Sequence, residues 1–173
     1  MTLQQDIVVI GGGISGTATA YELARRGVRV ALLERGDLAS MASGWTLAGV
    51  RQSGRHPAEL PLARAAVRRW EGLADELGAD VEYRQGGNLR LARTPEEIPV
   101  IRQVVEAGVD AGIPMELLEG SDAVRALAPA LTPTVAAASF CPTDGHAHPV
   151  RTVQAFADAA RRHGAAIHTR VDV

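Results

Sequence analysis

Four β-branched residues in a row, Ile7-Val8-Val9-Ile10, form an unbroken apolar run of the kind that belongs to a strand covered on both faces of a parallel sheet. Glycines stop it at once. From Ser15 to Arg26 the apolar positions take up helical spacing, and Gly16, Ala20 and Ala24 recur every four residues to give a face small enough to lie close to a sheet. Gly27 ends that helix in the way a C-terminal glycine does. Val28 to Leu33 reads as a second strand that finishes at Glu34, so residues 6–34 predict a strand, helix, strand unit with a right-handed crossover.

Beyond Gly36 the rhythm is lost. Residues 40–54 are rich in Ser, Gly and Ala, with neither a helical nor a strand period, and predict a loop. Leu62, Ala66, Trp70, Leu73 and Leu77 then mark one face of a single helix ending at Gly78. Val81 to Tyr83 and Leu89 to Leu91, either side of Gln85-Gly86-Gly87, predict two strands joined by a turn. Thr94-Pro95-Glu96-Glu97 has the form of a capping box with proline at the first helical position, opening a helix to about Ala111. Further along come a strand over 113–118, a short helix capped by Ser121 and ending before Pro129, and a strand over Val135 to Phe140. A helix with Val153, Phe156, Ala157 and Ala160 inward and a last strand from Ala166 to Val171 complete the pattern.

Composition narrows the partner. A net charge of -2 spread along 173 residues leaves no basic footprint for nucleic acid or an anionic membrane, and a small-molecule partner is expected. No run approaches a membrane span, and Met1 to Gln5 lacks the positive region of a signal peptide, so a cytoplasmic location is expected. All 18 basic residues are arginine, which removes lysine-based Schiff-base or general-base chemistry from these residues. The single Cys141 has no partner for an internal disulfide and reads as a small buried apolar residue. His146 and His148 have an H-x-H spacing, yet no acid or cysteine cluster follows a metal template, and no metal is expected.

The chemistry sits in Gly11-Gly12-Gly13-Ile14-Ser15-Gly16, which matches G-x-G-x-x-G through Gly11, Gly13 and Gly16. The first glycine permits the tight turn, the second lets backbone approach a pyrophosphate, and the third allows close helix packing. A pyrophosphate would sit on the amides at the start of the helix near Ile14. The hexapeptide alone is a weak signal, but here it follows an apolar strand, opens a helix, and precedes an acidic residue, Glu34, at the end of the second strand. Glu34 suits ribose hydroxyls and would repel a phosphorylated ribose, which disfavours NADP. Arg35 is placed either along the adenine or a phosphate, or in solvent.

With the glycine loop, Glu34-Arg35 and Ser40-Met41-Ala42-Ser43-Gly44 in view, the chain resembles the FAD-dependent glycine/D-amino-acid oxidase (DAO) superfamily, in particular the branch of the sarcosine oxidase β subunit. Ala48-Gly49-Val50-Arg51-Gln52, Arg84-Gln85-Gly86-Gly87-Asn88-Leu89, and Phe140-Cys141-Pro142-Thr143-Asp144-Gly145-His146 followed by Pro149 extend the resemblance over the whole chain. It implies that Gly13, Ile14 and Ser15 surround the pyrophosphate, that Glu34 binds ribose, and that Ala42 and Ser43 line the cofactor path. It further implies that Ala48 and Gly49 approach the isoalloxazine ring, that the Val171 backbone meets the adenine, and that Arg51 supplies positive charge near the flavin. Trp45-Thr46-Leu47 departs from the Arg-Asn-containing sequence of that branch, and His148 stands where aspartate is common.

The expected fold is α/β: a Rossmann-like FAD-binding βαβ unit with the beginning of an α+β substrate domain. The segments expected are an FAD-binding stretch over 1–50, a substrate-domain excursion over 51–140 and a return over 141–173. The expected function is FAD-dependent oxidation of the C–N bond of an amino acid or N-alkyl amino acid. Because relatives in this superfamily are about twice this length, the chain is read as an N-terminal part that alone holds FAD weakly and does not turn over substrate. Two alternatives stay open: a fragment or cofactor-binding subunit that self-associates or needs another chain, and an NAD-dependent dehydrogenase sharing the same fingerprint.

Overall fold

The computed structural model describes residues 4–173. In chain order its elements are β1 (Ile7–Ile10), α1 (Ile14–Ala24), β2 (Val30–Glu34), β3 (Gly49–Val50), α2 (Leu60–Trp70), α3 (Leu73–Leu77), β4 (Asn88–Ala92), a 3-10 turn (Pro95–Glu97), α4 (Ile98–Asp110), β5 (Glu116–Glu119), α5 (Ser121–Leu127), β6 (Ala137–Cys141), β7 (Gly145–His146), α6 (Pro149–Arg162) and β8 (Ala166–Thr169). They gather into two compact units. One takes the chain up to Gly49 with Trp70–Tyr83 and Ala147–Val173, and the other takes Val50–Arg69 and Arg84–His146. Residues 70–83 thus lie in the same unit as the glycine loop.

The first unit is a parallel sheet in the order β1-β2-β8, with Val9 opposite Leu32 and Leu32 opposite Ile167. Its core sits on the helical side of β2, where Val30 and Leu32 are fully buried. The four-residue repeat of small side chains in α1 is used here: Ala20 and Ala24 join Ala155, Ala159 and Ala160 of α6 in one cluster, and α1 packs on α6 as well as on the strands. Small side chains let two helices and a sheet approach one another closely, and the larger Tyr21 and Phe156 fill the remaining space with ring centroids 5.8 Å apart. Leu73, Leu77 and Val81 close this core.

β1 corrects one expectation. Ile7, Val8 and Ile10 are 38%, 54% and 70% exposed, because β1 is the edge of the described sheet and only Val9 packs on the core. The single helix expected over 62–77 is also two helices. Glu71-Gly72 interrupts it, the phase slips, and Leu62 faces solvent while Val67 is the buried residue of α2. Gly78 does end α3 in the left-handed region, at φ 60°. Residues 81–83 form no strand; Val81 is buried as part of an irregular stretch, followed by a bridge from Arg84 to His146.

The second unit is an antiparallel sheet in the order β4-β6-β5, with Arg90 opposite Ser139 and Ser139 opposite Leu117. α4 covers one face through Ile101 against Ala92 and Ala137, and through Val105 against Cys141. Val124 of α5 covers the other with Val135, Ala138, Leu89 and Leu91. The Thr94 capping box is not formed: no side chain caps that turn, and the Glu97 carboxylate accepts from the Arg93 amide at 2.7 Å instead. Ser121 is the first residue of α5 and Gly120, at φ 83°, precedes it as the cap.

Candidate functional site

The glycine loop rests on one positive-φ turn and two close approaches. Gly11 turns the chain at φ 108° while its amide donates to the Leu33 carbonyl at 2.8 Å, which pins the end of β1 to β2. A Cβ on Gly16 would lie 1.9 Å from the Gly11 carbonyl oxygen, so α1 can start this close to the turn only without a side chain there. A Cβ on Gly12 would meet Leu38 at 2.5 Å and Glu34 at 2.8 Å. Gly12 plays a part the sequence pattern did not assign, although the run of three glycines was its signal.

Glu34 stands at the end of β2 facing this loop. Its carboxylate accepts from the Gly12 amide at 2.5 Å and from the Gly36 amide at 2.6 Å. Those two bonds, Gly36 first and Gly12 second, hold the acid below its ordinary value against a small opposing desolvation. An ionised carboxylate offers about four lone-pair sites, so two remain for a ligand. The Val171 amide donates to the Glu34 carbonyl at 3.0 Å and brings that residue to the same strand end. Arg35 is exposed.

The start of α1 carries no acidic residue in its first turn and no side-chain cap on Gly13. Ser43 reaches it from the following loop: its hydroxyl accepts from the Ile14 amide at 3.0 Å and lies 2.8 Å from the place a Cβ on Gly13 would occupy. Gly12, Gly13, Glu34 and the loop from Ala39 to Ser43, including Ala42, line a cleft of about 160 Å³. The structure therefore brings Gly11, Gly13, Ile14, Gly16, Glu34, Ala42, Ser43 and Val171 into one neighbourhood, with Ser15 exposed on the first turn of α1. Gly36, Leu38 and Met41 belong to it as well and were not anticipated. Ala48, at φ 46°, and Gly49 lie outside the lining of that cleft.

A strand-turn-helix with a bare glycine cradle, a helix start without an acidic residue in its first turn and an ionised carboxylate at the next strand end is a dinucleotide-binding arrangement. The family model described as FAD dependent oxidoreductase (DAO) matches residues 6–173. The chain belongs to this family of FAD-dependent oxidoreductases. It is 30% identical over 172 residues to an opine oxidase subunit of Rhizobium meliloti, covering 93% of this chain and 46% of that protein. To glycine oxidase of Bacillus licheniformis it is 32% identical over 172 residues, covering 95% and 45%. The solved structure of glycine oxidase from Geobacillus kaustophilus superposes with a TM-score of 0.93 at 29% identity, over 99% of this chain and 48% of that one. The chain spans a little under half the length of these two curated relatives. The expected α/β class with an FAD-binding βαβ unit is the fold these FAD-dependent oxidoreductases have, and the family match sets aside the nicotinamide-dependent alternative.

Elsewhere in this DAO-family chain, Arg51 belongs to the second unit, where its guanidinium donates to the Ser53 carbonyl at 2.8 Å. Asp144, fully buried, accepts from the Gln52 amide at 2.8 Å, the Ser53 amide at 3.2 Å and the Ser53 hydroxyl. His148 caps α6, its Nδ1 accepting from the Arg151 amide at 3.3 Å. Among the described residues no group of three His, Cys, Asp or Glu is gathered as a metal site, and no helix is long and apolar enough to cross a membrane. Burial pushes the Cys141 thiol up.

Proposed function

We propose that this chain holds FAD for the oxidation of the C–N bond of an amino acid or N-alkyl amino acid. The observation that carries the cofactor assignment is the Glu34 carboxylate, ionised, anchored by the Gly12 and Gly36 amides and still able to accept two more hydrogen bonds beside an open glycine cradle. In this reading Glu34 accepts from the adenosine ribose hydroxyls. The backbone of Gly11, Gly13, Ile14, Ser15 and Gly16 receives the pyrophosphate on the positive end of α1. Ser43 and Ala42 wall the same path, Arg35 lies along the adenosine part, and the Val171 backbone meets the adenine.

When bound, FAD supplies the two-electron acceptor for the substrate carbon. By the family resemblance Ala48 and Gly49 approach its ring and Arg51 contributes positive charge that favours the reduced, anionic form. The amine or amino-acid substrate class is supported by the similarity to glycine oxidase and to the opine oxidase subunit. The second of these relatives is by name one subunit of an oxidase, which supports a further reading in which this chain works with another polypeptide.

Titrating the purified protein with FAD and with NAD tests the cofactor. Binding of FAD in preference to NAD, weak and without turnover in this chain by itself, is the expected result, and preference for NAD overturns the cofactor reading. In a polypeptide extended to the length of these relatives, anaerobic bleaching of the flavin bands by N-methylglycine or a D-amino acid is expected. FAD binding without bleaching by any amine in that longer protein overturns the substrate class alone.

A further inference from the structure

The stretch Trp45-Thr46-Leu47, where this chain departs from the related branch, shows apolar side chains to water. Trp45 is 76% and Leu47 97% exposed, and Met41, just before them, 55%. Single exposed apolar residues are ordinary on a protein surface. Three within seven positions are a different matter when the backbone beneath them is held. The Ala39 amide donates to the Gly12 carbonyl at 3.1 Å, and the Ser43 hydroxyl accepts from the Ile14 amide at 3.0 Å. A Cβ on Gly44 would lie 1.9 Å from the Ala39 carbonyl oxygen, so the turn folds tightly back on itself beside the glycine loop. After it, the Thr46 hydroxyl accepts from the Ala48 amide at 3.1 Å. A loop pinned in this way, with its apolar side chains outward, is a prepared contact surface.

The turn also places the indole. The Trp45 amide donates to the Met41 carbonyl at 3.2 Å, an i to i+4 bond that closes one helical turn. Side chains four apart on such a turn lie on the same face, one above the other. Met41 lines the cleft together with Gly12, Glu34 and Ser43, so Trp45 carries the same wall one turn further along the segment that leads from Ser43 to Ala48. At about 160 Å³ the cleft is smaller than the roughly 300 Å³ at which small-molecule pockets begin. It therefore takes one part of a dinucleotide, and the rest has to lie over its rim.

We propose that the indole of Trp45 is a stacking wall for the flavin half of FAD. The inference rests on the cofactor reading above: with Glu34 and the Val171 backbone taking the adenosine and the start of α1 the pyrophosphate, the half left over leaves the cleft past Ser43, where Trp45 stands. Planar rings in an offset stack gain more than their buried area alone supplies. The isoalloxazine is electron-poor and indole is the most electron-rich of the side chains, so the pairing is favourable in charge as well as in shape. Where the related branch offers a guanidinium, this chain offers a broad neutral face.

ADP and flavin emission together test this on the purified protein. ADP fills the adenosine and pyrophosphate places and carries no flavin, so it reads the cleft without the wall. An indole in contact with an excited flavin donates an electron and quenches it, whereas a phenyl ring of similar shape does not. The emission is read as an excited-state lifetime, which separates bound from free FAD. Bound flavin is expected to be strongly quenched in the parent and to regain emission several-fold in Trp45→Phe, with FAD affinity kept within about twofold. Trp45→Ala is expected to weaken FAD about fivefold and to leave ADP affinity unchanged. Trp70→Phe should leave the bound-flavin lifetime as it is. A lifetime unaltered by Trp45→Phe overturns the proposal, because the indole then does not touch the flavin. Equal losses of FAD and ADP affinity in Trp45→Ala also overturn it, because Trp45 then only shapes the loop. In both cases FAD bound by the parent leaves the cofactor reading standing, whereas a parent that binds ADP and not FAD counts against that reading and takes this proposal with it.

Discussion

Two carboxylates in this chain gather backbone amides, and they do opposite things with them. Asp144 is fully buried and spends its acceptors on the Gln52 and Ser53 amides and the Ser53 hydroxyl. Glu34 takes two amides, from Gly12 and Gly36, and remains half-buried at the rim of a cleft. The first is a closed knot that joins chain segments about ninety positions apart and, fully buried, offers no acceptor to a ligand in solvent. The second is oriented by the protein yet unfinished. What separates a structural acid from a binding acid here is how many lone pairs stay unclaimed and open to solvent, since both use the same kind of donor.

The sharpest way to break this contrast is Asp144→Ala. It leaves two buried amides and a hydroxyl without an acceptor, and a loss of about 3 to 5 kcal/mol is expected in chemical denaturation. A loss below about 1 kcal/mol would mean that the knot is not structural. Gly13→Val comes next. Its side chain enters the space beside Ser43, whose hydroxyl can turn aside, so the fold should survive while FAD affinity falls about a hundredfold, or roughly 3 kcal/mol. Retained flavin in a folded variant would move the pyrophosphate elsewhere.

Glu34→Ala should weaken FAD by about 1 to 3 kcal/mol, the range for charge-assisted bonds to a ligand left unmade. Unchanged affinity in a titration of the apoprotein would make Glu34 a second Asp144. The smallest effect is on pH. The folded-state value of Glu34 lies below its ordinary 4.5, so the ionised form is favoured by folding. Its contribution is fully present above the unfolded value and is lost as pH falls through the lowered folded value. The stability gap between the protein and Glu34→Gln should therefore narrow below about pH 4.5 in parallel denaturation curves. A gap that widens on acidification has the wrong sign for this geometry.

The same contrast explains what could be read from residues alone. Gly11, Gly13, Gly16 and Glu34 lie within one βαβ unit, where spacing along the chain fixes spacing in space, and their nearness to one another was legible. Asp144 meets Gln52 and Ser53 across long loops, and no local pattern announces such a pairing. Two helical elements read as one because Leu62, Trp70 and Leu73 share a period that the Glu71-Gly72 break shifts. Apolarity predicted two covered faces for β1, but coverage depends on which strands and helices flank it, and at the described edge Ile10 is 70% exposed.

The loop that carries Ser43 continues into Trp45, 76% exposed, whereas Trp70 packs at a tilt against Tyr83 with ring centroids 5.6 Å apart beside the core of the same unit. The chain has just these two indoles. It therefore contains a built-in pair of optical reporters, one emitting from a water-like setting next to the cleft and one from a packed setting. Replacing either with phenylalanine would let ordinary fluorescence follow the cleft loop and the folded core as separate signals without any attached dye.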